Sequence, residues 1–291
     1  MSNTERRPAI AIDIDLINEA IKFKLYNKTA IPYLQSTLLA KSGVVDHGFS
    51  TRLGGCSTGP SASLNTAFHT KDSAENVIEN RRRFFDIFNY DYRKTVSAIQ
   101  VHGTELAVFD SSNHGEGAFP GSARRECDAL VTTKKGLPLA AYAADCMLIY
   151  IVSAEKPLVA LAHAGWRGTL GEIGPRVIDF IKKQYGIQPE NLLAALSPSI
   201  CRDCYQVDSE TANKFALAGW NEQPYMETQA DGTYKLDLKE INRTQLHRCG
   251  VKKDNLDYSS LCTSCNKKLF YSYRRDFGST GRMIGFAALK L

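Results

Sequence analysis

Long apolar runs are missing from this 291-residue chain, and no window approaches the roughly 20 apolar residues that a membrane helix needs. Blocks of like charge are missing too. The 36 Lys and Arg against 31 Asp and Glu leave a formal charge of +5, scattered rather than clustered, so no basic tail or stripe points to nucleic acid. Neither a low-complexity linker nor an internal repeat divides the chain, which predicts one catalytic domain over residues 1–291, with residues 1–44 as an N-terminal extension of it. The start, Met1 to Pro8 and then a mixed stretch holding Asp13 and Asp15, has no apolar leader core or cleavage motif, and a cytoplasmic protein is expected. Walker and dinucleotide-binding glycine patterns are also absent.

The composition that remains, 43% apolar and 23% charged, is that of an ordinary globular protein able to bury a sizeable core. Eight cysteines in a cytosolic chain suggest thiols and metal ligands before disulfides. Apolar spacing predicts helices over residues 75–88, from Leu170 to Tyr185, over 209–218 and over 238–249. Strand-like runs fall at residues 95–101, 106–110, 129–132, 137–144, 147–152 and 158–162, with a closing strand over 282–289. Several runs are apolar throughout, as strands covered on both faces are. Strands and helices do not alternate regularly, so the class is α+β rather than α/β.

Three short segments place a soft or nitrogen ligand beside small residues at a strand end: Gln100-Val-His102-Gly, Ala144-Asp145-Cys146 and His163-Ala-Gly-Trp-Arg-Gly168. Two imidazoles and one thiolate suffice to hold Zn²⁺ as catalytic sites do, with the fourth position left for water or substrate. Their irregular separations suit a site assembled from three loops better than a zinc finger. A second chemistry fits the same trio, with Cys146 as nucleophile, a histidine as its base and Asp145 as the orienting carboxylate. Bound metal separates the two readings; a lowered thiol pKa does not.

Other signals are weaker. Cys201-x2-Cys204 and Cys262-x2-Cys265 resemble a four-thiolate knot, but 57 residues lie between the pairs, far beyond a compact ribbon's roughly 15–20. Four reduced thiols near the site wall is the simpler expectation. Gly54-Gly55 and Gly278-Ser-Thr-Gly281 can cradle phosphate, although turn glycines are commoner than anion sites. Arg52, Arg167, Arg274 and Arg275 sit where a guanidinium can reach an anion, while Arg81 to Arg83 read as the exposed face of their helix. Trp166 and Tyr205 can stack on a planar base. His114-Gly-Glu116 lacks the Pro-Cys-x2-Cys half of a base-deaminase signature, which excludes that fold.

Taken in order, His47-Gly-Phe-Ser-Thr-Arg52-x-Gly-Gly55, Ser63-Leu-Asn65, Glu79-Asn-Arg-Arg82, Gln100-Val-His-Gly103, Ala144-Asp-Cys146, His163-Ala-Gly-Trp-Arg-Gly168, Cys204-Tyr-Gln-Val207 and Phe270-Tyr-Ser-Tyr-Arg-Arg-Asp276 resemble the YfiH-type family. That family has been labelled multicopper polyphenol oxidoreductase or laccase and later purine nucleoside phosphorylase. The likeness runs from about Val45 to Leu289. It implies a four-layer α/β/β/α sandwich with mixed sheets, cysteine-hydrolase-like, and zinc on His102, Cys146 and His163. Implied too are phosphorolysis of adenosine, inosine, guanosine and methylthioadenosine, together with adenosine deamination. Arg52, Asn65, Arg167 and Tyr205 are the substrate-binding residues expected on this basis, with Asp145 joining the trio as a catalytic proton carrier. The chain departs from the family pattern at His69-Thr-Lys-Asp72 and at Gln206.

Copper oxidation is the lesser reading, since only six histidines are present and multicopper sites use many more. A hydrolase acting on peptidoglycan-precursor linkages is a further alternative, and a non-enzymatic binding module a third. The expected partners are purine nucleosides and phosphate, with no nucleic acid or membrane and a monomer favoured.

Overall fold

The computed structural model describes residues 22–27, 29–122 and 124–291; the first part of the expected N-terminal extension, residues 1–21, lies outside them. In chain order come β1 (Phe23–Tyr26), β2 (Tyr33–Ser36), α1 (Thr37–Ser42), β3 (Val45–Ser50), α2 (Ala74–Asp86), β4 (Val96–Ser97) and β5 (Leu106–Phe109). Next are β6 (Ala129–Thr132), β7 (Leu139–Ala143), β8 (Met147–Ser153), β9 (Leu158–Ala164), α3 (Trp166–Leu170), α4 (Ile173–Tyr185) and β10 (Leu192–Leu196). The remainder is β11 (Gln206–Val207), α5 (Ser209–Leu217), β12 (Met226–Thr228), β13 (Tyr234–Leu236), α6 (Leu238–Arg248), β14 (Leu256–Tyr258) and β15 (Met283–Leu289).

Two six-stranded mixed sheets result, ordered β1-β2-β3-β15-β7-β4 and β14-β10-β8-β9-β6-β5, beside a three-stranded sheet β11-β13-β12. Side-chain alternation explains the layering. On β15, Met283, Ala287 and Leu289 face the second sheet, while Ile284, Phe286 and Ala288 face outward onto Phe84 and Phe85 of α2. On β8, Leu148, Tyr150 and Val152 meet the first sheet, and Met147, Ile149 and Ile151 lie under Ile173, Val177, Ile178 and Ile181 of α4. Each central strand is therefore apolar on both faces because both are covered, and the layers run α/β/β/α. Gly285 permits the close approach of the sheets, since a Cβ there would lie 2.4 Å from Leu148 and 2.5 Å from the Tyr150 hydroxyl.

Several expectations shift. The strand expected over residues 95–101 shrinks to Val96–Ser97, because the Gln100 side chain takes over the edge, donating to the Tyr142 carbonyl and accepting from its amide, both at 2.8 Å. The helix expected from Leu170 to Tyr185 is split: Glu172 adopts φ 61°, ending α3 and reorienting the chain into α4. Arg81 does not lie on the exposed face of α2 with Arg82; it is buried, bonding the carbonyls of Thr66, Gly117 and Ala118. Gly54 and Gly55 leave no room for a side chain, since a Cβ would lie 2.5 Å from the Ala30 carbonyl oxygen and 2.1 Å from that of Ser63.

Candidate metal and substrate site

Strand register assembles the site. Antiparallel pairing of β8 with β9 sets Leu148 opposite His163 and Met147 opposite Ala164, so Cys146, one residue before β8, meets the end of β9. Pairing of β6 with β9 sets Ala129 opposite Ala162, which brings Asp128 beside His163. The ligand atoms of His102, Cys146 and His163 lie within 4.8 Å of one another, and the two imidazole rings cross at 80° with centroids 4.9 Å apart. His163 is buried and His102 exposed, so the cluster opens to solvent on the His102 side.

Asp128, which no motif in the sequence marks, organises this cluster. Its buried carboxylate accepts from His163 Nδ1 at 2.8 Å and from the amides of Val101, His102 and Gly103 at 3.2, 3.1 and 2.7 Å. One side chain thus fixes the tautomer of one ligand and the loop carrying another, leaving His163 Nε2 for a metal. Its signal in sequence was an acidic residue directly before the wholly buried strand β6.

Two residues of the site have left-handed backbone, the ligand His102 at φ 60° and Asp145, next to Cys146, at φ 87°. Such backbone persists only where surroundings over-determine it. At Asp145 they do: its carboxylate accepts from Thr263 Oγ1 at 2.6 Å, Ser272 Oγ at 3.0 Å and the Arg274 amide at 2.7 Å, while its carbonyl accepts from the Ile200 amide at 3.0 Å. Gly165 leaves room for the ligands, because a Cβ there would lie 3.1 Å from both Cys146 Sγ and His102 Cδ2.

Electrostatics favour a thiolate here. Burial pushes the Cys146 thiol up, but the charge of His163 and hydrogen bonds from His102 and His163 outweigh it and hold the group at about 6. His163 shifts oppositely: burial lowers it, whereas the Cys146 charge and the Asp128 hydrogen bond raise it to about 9. Burial also pushes Asp128 up, and its bond from His163 and the loop amides hold it below the usual carboxylate range. Two imidazoles and a thiolate with a carboxylate behind one of them match the donor chemistry of a three-ligand zinc site.

Cations crowd the mouth. His69 is held at about 4, by burial first and then by the charges of Arg282, Arg81, Arg124 and His102, so it stands neutral among cations next to the ligands. Arg282 lies close enough to Cys146 and Asp145 for their charges to act on it. Arg167 stacks on Trp166 at 4.2 Å and Arg274 on Tyr205 at 4.9 Å, and the Tyr205 phenol, its pKa raised mainly by burial, also feels the charge of Cys146. The other expected substrate contacts are differently engaged. Arg52 stacks on Tyr271 at 4.6 Å and donates twice to the Ala62 carbonyl. Asn65 is fully buried and accepts from the Arg282 amide at 2.9 Å, so it braces Arg282 from behind.

The structure is thus an α+β sandwich with an open cluster of soft and nitrogen ligands beneath a positive rim. Residues 46–290 match the family described as multi-copper polyphenol oxidoreductase laccase, and the chain belongs to that family. It is 40% identical over 242 residues, 82% of this chain and 88% of the relative, to the purine nucleoside phosphorylase YlmD of Geobacillus stearothermophilus. With the Bacillus subtilis protein of the same name it shares 36% identity over 244 residues, 84% of this chain and 88% of the relative. The crystal structure of YlmD from Geobacillus stearothermophilus aligns with TM-score 0.86 at 35% identity, covering 93% of this chain and 99% of that one. YfiH of Bacillus licheniformis aligns with TM-score 0.85, also at 35% identity, over 91% and 99% of the two chains. These likenesses agree with the expected family and with its α+β class.

Proposed function

We propose that the chain is a zinc-dependent purine nucleoside phosphorylase, taking adenosine, inosine, guanosine or methylthioadenosine with phosphate to free base and sugar 1-phosphate, with adenosine deamination as a second activity. The observation that carries this reading is the open His102, Cys146, His163 cluster held by Asp128 beneath a rim of cations. Its relatives' names supply the substrate class. Zinc on these three residues would supply an electrophile with an open coordination position.

The protein's own residues do the rest. Arg282 holds the phosphate by charge, His69 stands beside it as a neutral imidazole able to hydrogen-bond, and Asn65 fixes the backbone from which Arg282 projects. Arg167 extends the positive rim, while Tyr205, with Arg274 against its ring, presents a phenol to the nucleoside. Asp145 carries three hydrogen bonds and holds the Cys146 turn, so its part in the reaction is positioning. Arg52 is a brace for the loop over residues 51–63.

The donor set also suits copper, so the test begins with metal analysis of purified protein beside Cys146→Ala. Adenosine is then incubated with and without phosphate, and products are separated by chromatography. Phosphate-dependent release of adenine with ribose 1-phosphate, lost in Cys146→Ala, is the expected result. Oxidation of a polyphenol by copper-loaded protein, or cleavage of an aminoacylated muramyl nucleotide, with nucleosides untouched, overturns it.

A further inference from the structure

The fold closes the 57-residue gap that made a four-thiolate knot the lesser expectation. Ser199 bridges to Cys262 in a short parallel pairing, and the Thr263 amide donates to the Ser199 carbonyl at 3.2 Å. This joins the 3-10 turn Arg202–Cys204 to the turn over residues 262–265, and the sulfurs of Cys201, Cys204, Cys262 and Cys265 all fall within 4.8 Å of one another. A tetrahedral zinc with Zn–S near 2.3 Å needs sulfurs about 3.8 Å apart. Cys204 and Cys265 are 3.5 Å apart, already close to that spacing and far beyond a disulfide's roughly 2.0 Å.

Two further features point to an ion. The amides of Cys201 and Cys265 both donate to Cys262 Sγ, at 3.3 and 3.4 Å, so backbone dipoles converge on one sulfur as they do on a thiolate. Cations also surround the knot. Lys239 Nζ donates to the Ser259 carbonyl at 2.6 Å and lies close enough to Cys262 and Cys201 for their charges to act on it. Arg275 clasps the other turn, donating to the carbonyls of Thr263 and Ser264 at 3.1 Å each. Four thiolates on one divalent ion carry a net charge of −2, which Lys239 is placed to offset in part, while Arg275, paired with Asp276, braces the second turn.

We propose that Cys201, Cys204, Cys262 and Cys265 bind a second zinc ion in a closed, structural site, distinct from the open cluster at Cys146. Each thiol that binds releases its proton to solvent, and no position remains for substrate. The ion locks two site-wall segments together: Tyr205 follows Cys204 directly, and Thr263, next to Cys262, holds Asp145 at the Cys146 turn.

Protein purified under reducing conditions is to be examined by native mass spectrometry and elemental analysis, beside Cys146→Ala and the double variant Cys204→Ser with Cys265→Ser. Two zinc ions per chain are expected in the parent and one in each variant. Cobalt-exchanged parent should show intense thiolate-to-cobalt absorption that persists in Cys146→Ala. One zinc in the parent, absent from Cys146→Ala, overturns the proposal; so does iron at the second site, or an intact mass showing disulfides among the four. Should the double variant fail to fold, the counts for the parent and for Cys146→Ala still decide. Because the readout is metal content and not turnover, failure here leaves the phosphorylase reading standing, and failure of that reading leaves this one.

Discussion

His163 Nδ1 donates to Asp128 Oδ1 at 2.8 Å inside a fully buried pocket, and the same carboxylate collects the amides of the loop that carries His102. Two of the three proposed metal ligands are therefore aimed by one residue outside the trio. Asp128→Asn should lower zinc affinity by about 10–100-fold, as loss of such a partner does at other metal–histidine sites. Competition with a chromophoric chelator measures it, and unchanged affinity would show that the ligands are held without the carboxylate.

Gly165 is the position where volume alone separates binding from folding. A Cβ there would lie 3.1 Å from Cys146 Sγ and His102 Cδ2, so Gly165→Ala must push ligands apart or shift the start of α3. Its φ of −76° suits alanine, so backbone strain is not the cause. The expected result is reduced zinc occupancy with a stability loss of about 1–3 kcal/mol, the usual cost of overpacking, read by metal analysis and urea denaturation together. Full occupancy would mean that the site opens easily.

Arg282 and Arg52 should fail in different ways. Arg282→Ala removes a cation whose charge couples to Cys146 and His69, and is expected to raise the phosphate KM by about tenfold or more while adenosine deamination, which needs no phosphate, persists. Arg52→Ala removes a stack on Tyr271 and two bonds to Ala62, which is expected to lower stability by about 1–2 kcal/mol with phosphate KM little changed. Steady-state kinetics and thermal unfolding of both variants distinguish the roles. The reverse pattern assigns phosphate to Arg52.

His47 predicts the acid limb of stability. It is buried, its Nε2 accepts from the Ser36 amide at 2.9 Å and its Nδ1 has no partner, and burial above all lowers it from 6.5 to about 4. The folded state thus resists a proton that the unfolded chain accepts. Stability from this group is complete above pH 6.5 and is lost as pH falls toward 4, by about 1.4 kcal/mol per pH unit. Urea denaturation between about pH 7 and pH 5 should show a loss of about 2 kcal/mol from this group, and His47→Gln should flatten that slope. A slope of equal steepness in the variant places the acid sensitivity elsewhere.

Much of this was legible in the chain itself. Apolar runs such as those of β8 and β9 carry their own message, because strands covered on both faces lose the alternation that a half-exposed strand shows. The clustering of His102, Cys146 and His163 was legible too, since soft and nitrogen donors beside small residues at strand ends are chemically unusual. Tertiary structure alone decided which charged and polar residues lie near the cluster. Arg52 and Arg282 are the same residue type in similar glycine-rich settings, and both bond backbone carbonyls, yet only Arg282 lies close enough to Cys146 for its charge to act on it. Asp128 became the organiser only through the β6–β9 register, and the two cysteine pairs met only because the chain after β14 pairs with Ser199. Periodicity and donor chemistry are local and are written in neighbouring residues. Proximity across 35 or 61 positions is set by sheet register and loop closure, which no local pattern encodes.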